Sequence, residues 1–196
     1  MDEKKWNEKW DRDLPELMKS IFPPRICRDL PKLTIEIHPK EIQHIIDSKE
    51  GFFLFGISGG GKTLYASALL LEVIKYSRMN KLGNPSSIFV QSLDLMEQIK
   101  STFQDNERSE NILKTHSEAN LLILDDVGAE KVTDWVLQTL GYIINTRYEY
   151  LRPTIITSNF NLNELQECLD TRIVSRIYEM CKQKRFTKNY RLDKED

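Results

Sequence analysis

Cysteine is scarce in this chain of 196 residues. Cys27, Cys168 and Cys181 are odd in number and far apart, with no CxxC pair and no clustered histidine. That pattern argues against a disulfide framework and against a structural zinc site, and it suits a reducing cytoplasm with the thiols as ordinary small residues. No apolar run approaches the roughly 18 residues of a membrane span. The N-terminus, MDEKKWNEKWDRD, is charged from its second residue, so neither a leader nor a membrane anchor is expected. Positive charge is not in excess either: 28 basic against 30 acidic residues leave a net charge of −2. Such a chain lacks the field that drives indiscriminate attachment to nucleic acid or anionic membrane, so any nucleic-acid contact must be local. No internal repeat or low-complexity tract is visible, and the length suits one domain with short tails.

Trp6, Trp10, Leu14 and Leu17 stand at helical spacing in the first twenty residues, interrupted by Pro15. Two tryptophans on so short a segment imply that this face either packs on the domain's own surface or docks a partner. FPPRICRDLPKLTI follows, where three prolines predict an extended connector, and residues 39–49 read as a short helix. From Gly51 onward apolar runs alternate with amphipathic segments, the pattern of parallel strands joined by crossover helices. Strands are predicted at 52–56, 87–91, 120–125 and 154–158, with a further edge strand around Arg185–Tyr190. Helices are predicted at 62–79, 93–103, 134–150, 162–168 and 171–182, and the segment 105–115 reads as a polar loop. Runs such as LLILDD and TIITSN suit strands buried on both faces. The charge of the tail 183–196 is read as solvating.

GISGGGKT, Gly56 to Thr63, directly follows the apolar GFFLF and opens a helical pattern, the strand-loop-helix context of a phosphate-binding P-loop, or Walker A motif. Gly56, Gly59, Gly60 and Gly61 let successive backbone N–H groups turn inward toward phosphates at the positive end of the following helix. Lys62 would reach the outer phosphate oxygens and Thr63 would ligate Mg²⁺, with Ser58 and Leu64 completing the nucleotide-binding set. LLILDD has the form of the second element of such a site. Asp125 at the strand end would hold the magnesium, and Asp126 would polarise the attacking water. IITSNF is a third apolar strand ending in polar groups, where Asn159 would orient that water or, on the local pattern alone, Ser-Asn would be a turn or a helix cap.

These segments, in this order and followed by DTRIVSRIYEM, resemble the AAA+ ATPases of the DnaC/IstB group, which includes bacterial and phage helicase loaders. The resemblance covers about residues 22–190 and takes in FPPRICRDL, LDLMEQIKSTF, LLILDDVGAE and RPTIITSNF. It implies an α/β P-loop NTPase core with a parallel five-stranded sheet between helices and no helical lid domain. Residues 1–38 would form an N-terminal helix and connector, and 39–196 the ATPase domain. By position it implies ATP and Mg²⁺ as cofactors, Lys62, Asp126, Asn159 and Arg176 as catalytic residues, and Arg176 as an arginine finger acting on a neighbouring subunit, with Arg172 as runner-up. A finger in trans implies self-association. Single-stranded DNA contacts would fall on Lys100, Phe103, Thr133 and Trp135; the competing reading makes Phe103 and Trp135 plain core residues.

The function implied is an ATP-hydrolysing replication protein that assembles on single-stranded DNA and delivers a replicative hexameric helicase. One rival is an IstB-like transposition ATPase, which would prefer duplex DNA. Another is a nucleotide-gated adaptor with little hydrolysis, for which Asp126 in place of the commoner glutamate is an argument. A small-molecule P-loop kinase would instead respond to a small acceptor.

Overall fold

The computed structural model describes residues 3–83, 85–102, 104–129 and 132–189. The chain opens with α1 (Glu3–Ile21), α2 (Pro24–Asp29), a 3-10 turn (Leu30–Lys32) and α3 (Pro39–Ser48). The core then runs β1 (Gly51–Gly56), α4 (Lys62–Met79), β2 (Ser87–Gln91), α5 (Ser92–Ser101), α6 (Asn106–Glu118), β3 (Leu121–Asp125) and α7 (Asp134–Glu149). It closes with β4 (Thr154–Ser158), α8 (Leu162–Gln166), α9 (Thr171–Met180) and β5 (Cys181–Phe186). The five strands form one sheet in the order β2-β3-β4-β1-β5, and every pairing is parallel.

The alternation of side chains along a strand sorts the apolar runs onto two faces. Phe52, Leu54, Leu121, Ile123 and Ile155 face a core built with α1 to α4. Phe53, Leu122, Leu124 and Ile156 face a second core with α5, α7, α8 and α9. With both faces covered, β3 and β4 are buried along their whole length, which is why they read as unbroken apolar runs.

Four expectations need correction. The segment 105–115 is not a loop: α6 is capped by Asp105, whose side chain accepts from Arg108 N at 3.0 Å, and Ile112 and Leu113 pack on the second core. The connector is not extended, because Pro23 and Pro24 supply the backbone angles of a helix entry and Ile26 and Leu30 are then buried. Pro15 does not break α1, since Trp10, Met18 and Phe22 on either side of it are buried in one cluster. The edge strand begins at Cys181 rather than near Arg185, taking over directly from α9.

Of the two readings of α1, the structure has the helix on the domain's own surface. Trp10 is buried, stacked on Trp6 at 5.7 Å between ring centres, with the Arg78 guanidinium 5.7 Å from its ring centre. Phe22 meets Phe89 of β2 edge-on.

Candidate nucleotide site

The site lies at the C-terminal edge of the sheet, where β1, β3 and β4 end together. Gly56 closes β1 at φ 126°, and a Cβ there would lie 2.1 Å from Phe186 O of the neighbouring strand, so only glycine fits. Gly59 and Gly61 also have positive φ, which curls the loop back to the start of α4. That helix has no side-chain cap at Gly61. Its first N–H groups and its positive end are therefore directed into the loop.

Lys62 is buried, and its Nζ donates to Gly56 O, Ile57 O and Asn159 Oδ1, each at 2.8 Å. Asn159 in turn donates from Nδ2 to Asp126 Oδ1 at 3.0 Å. A second chain of bonds starts at Thr63, whose hydroxyl donates to Asp125 Oδ1 at 2.8 Å. Thr157 donates to the same oxygen at 2.7 Å and accepts from Asp126 N at 2.9 Å. Asp126 holds a left-handed conformation (φ 59°), so the chain turns sharply as it leaves β3. Burial pushes the Asp125 carboxyl above the usual carboxylate range and the Asp126 charge adds to this, while the two hydroxyls and the Lys62 ammonium oppose it.

The donor set fits a nucleotide triphosphate with a divalent cation. A glycine cradle, an uncapped helix start and one lysine suit phosphate, and a hydroxyl paired with a carboxylate offers the hard oxygens that magnesium takes. Of the remaining loop positions, Ser58 is exposed and Leu64 is half-buried against the first core.

The structure brings Lys62, Thr63, Asp125, Asp126 and Asn159 into one bonded constellation. Arg172 and Arg176 lie elsewhere, on α9, in a cleft lined by Tyr148, Thr171, Ser175 and Glu179. Lys100 is exposed in the last turn of α5. Thr133 caps α7, its hydroxyl accepting from Val136 N at 3.3 Å, and Trp135 packs half-buried on the second core. Phe103 lies outside the described residues.

Sequence reasoning missed Thr157. Thr157 is next to last in β4 and only 1% exposed, so its hydroxyl needs a partner, but that partner lies on the neighbouring strand β3 and not along the chain. Sequence reasoning also missed the segment after β5. Ile57 N donates to Phe186 O at 3.2 Å, and a Cβ on Gly59 would sit 2.4 Å from Asn189 Oδ1, so residues 186–189 wall the loop.

Fold and site together define a P-loop NTPase core of the AAA+ kind. The family of IstB-like ATP binding proteins matches residues 34–192, and the chain belongs to that family. It is 32% identical to the replicative helicase loader DnaI of Bacillus subtilis (strain 168) over 120 residues, 60% of this chain and 35% of that protein. It is 27% identical to the replicative helicase loader DnaC of Escherichia coli (strain K12) over 127 residues, 64% of this chain and 49% of that one. The chain thus spans between a third and a half of these relatives' length. A crystal structure of the DnaC helicase loader superposes with a TM-score of 0.69 at 26% identity, covering 84% of this chain and 99% of that one. Among the described residues, no helix is long and apolar enough to cross a membrane.

Proposed function

We propose that the protein is an ATPase that assembles on single-stranded DNA and delivers a replicative helicase. The observation that carries the ATPase half is the bonded constellation of Lys62, Asn159 and Asp126 beside Thr63 and Asp125. The loader half is supported by the likeness to DnaI and DnaC over the same core.

In this reading the loop Gly56 to Leu64 holds the phosphates, with Lys62 exchanging its carbonyl partners for phosphate oxygens. Thr63 and Asp125 hold Mg²⁺, which when bound neutralises charge on the transferred phosphoryl group. Asp126 polarises the attacking water, and Asn159, bonded to both Asp126 and Lys62, fixes its direction. Arg176 reaches the site of a neighbouring copy, where a planar cation offsets developing charge. Lys100, Thr133 and Trp135 offer DNA a cation, a hydroxyl and an aromatic face, although the Thr133 hydroxyl and part of the Trp135 ring already serve α7 and the core.

The test is size-exclusion chromatography with light scattering on the protein mixed with its host's replicative helicase, with and without an ATP analogue. A stoichiometric complex is expected. Clean separation under both conditions would overturn the loader reading, and preference for duplex over single-stranded DNA would move the assignment to transposition.

A further inference from the structure

The outward face of α9 presents two arginines to one cleft, yet among the described residues neither Arg172 nor Arg176 has a carboxylate within ion-pair range. Glu179 lines the same cleft and follows Arg176 by three positions, the spacing at which an acid and a base on one helix normally pair. It is engaged elsewhere: the Tyr148 hydroxyl, presented by α7, donates to Glu179 Oε2 at 2.5 Å. The Tyr148 ring meanwhile lies under Arg176, whose guanidinium carbon is 6.0 Å from the ring centre.

We infer that Tyr148 is a positioning residue for Arg176. Its hydroxyl draws Glu179 off the arginine while its ring supports the guanidinium, so that the N–H groups stay directed outward to an anion carried by a second copy of this chain. A ring face attracts the cation without occupying its hydrogen-bond donors, whereas a carboxylate would both occupy and neutralise them. The bond to Glu179 also raises the phenol's pKa above the usual tyrosine value. The inference rests on the reading of Arg176 as a finger in trans, and the experiment separates the two.

Two quantities are to be measured on the full chain: self-association by sedimentation velocity with a non-hydrolysable ATP analogue, and ATP turnover. The variants are Arg176→Ala, Tyr148→Phe, Glu179→Gln and the double variant Tyr148→Phe with Glu179→Gln. An exposed pair at this spacing shifts an equilibrium by about two- to threefold. Tyr148→Phe should therefore lower both readouts by about that factor, and adding Glu179→Gln should restore both. A merely structural tyrosine would not be rescued by removing a charge on another helix. If Arg176→Ala is impaired but Tyr148→Phe matches the parent, or is impaired without rescue, the positioning role is overturned and the finger stands. If Arg176→Ala itself matches the parent, the finger reading falls and takes this inference with it.

Discussion

Replacing Arg147 by methionine should lower the stability of the whole domain although the side chain touches no residue of the nucleotide site. Arg147 is fully buried, and no carboxylate among the described residues pairs with it. Its guanidinium serves backbone instead. Nη1 donates to His116 O at 2.9 Å, Ser117 O at 3.3 Å and Ala119 O at 2.9 Å, Nη2 to Pro153 O at 2.8 Å, and Nε to the Thr154 hydroxyl at 2.8 Å. Three of these acceptors are at or just past the C-terminal end of α6, where carbonyls lack intrahelical donors and carry partial negative charge. The side chain thus closes α6 and ties it to the entry of β4. Burial draws the guanidinium pKa down to about 9, which still leaves it charged at neutral pH.

Methionine would fill most of the volume but donate nothing, so His116 O, Ala119 O and the Thr154 hydroxyl lose the donor they have here, while Ser117 O keeps its bond from Arg152 and Pro153 O its bond from Leu122 N. Each such loss is worth about 1–3 kcal/mol, but water entry and relaxation make them far from additive, so about 4 kcal/mol is expected in total. For a chain of this size that lowers the melting temperature by about 8–16 °C. Arg152, half-buried and donating to Ser117 O at 2.9 Å, is the internal comparison. Arg152→Met should lose only about 1 kcal/mol. Urea titration and thermal melting of both variants check this, and an Arg147→Met protein melting within about 2 °C of the parent would refute the reasoning.

Trp10→Ala should destabilise by about 3–5 kcal/mol in urea titration, since it removes a buried indole; an unchanged midpoint would mean that α1 does not dock on its own domain in solution. Thr157→Val preserves shape but removes the donor to Asp125 and the acceptor for Asp126 N, so calorimetry should find Mg²⁺-dependent nucleotide binding weaker than in Thr157→Ser. Equal binding by the two variants would make the hydroxyl incidental. Glu41 is partly buried, which alone would raise its carboxyl, but bonds from Lys184, Tyr65 and His38 N outweigh this and hold its pKa below the ordinary 4.5. A depressed carboxylate contributes stability above its unfolded pKa that is lost as pH falls through the folded one. The parent should therefore weaken from pH 4.5 downward more steeply than Glu41→Gln, and parallel pH profiles would contradict the assignment.

What the sequence shows plainly here is what one short stretch of chain determines by itself. GFFLFGISGGGKT announces a strand, a glycine loop and a helix start within thirteen residues, and LLILDD and TIITSN announce strands because both their faces are buried. The start of β5 is not visible in the sequence because CKQKRF lies at the sheet's edge and keeps three side chains in solvent, so it carries no apolar run. The helix α6 was unreadable for a related reason: it buries little apolar surface, and its end is closed by Arg147, about thirty residues further along.

The same division runs through the site. Lys62 and Asp125 are named by motif, but the bond of Lys62 to Asn159 spans a separation of 97 residues and that of Thr157 to Asp125 spans 32, and only the parallel register of β3, β4 and β1 brings their ends into line. Thr157 was therefore legible only to someone who already knew that β4 lies between β3 and β1, because its hydroxyl acts across the sheet and not along the chain. The cleft on α9 is the extreme case. Arg176 and Glu179 are neighbours in sequence and would be paired with each other on local grounds, yet a tyrosine from α7, 31 residues before Glu179, takes the carboxylate. The two local partners are separated by a contact that only packing of α7 against α9 can create, and a cation left without a carboxylate in this way is suited to engage a charge brought by another molecule.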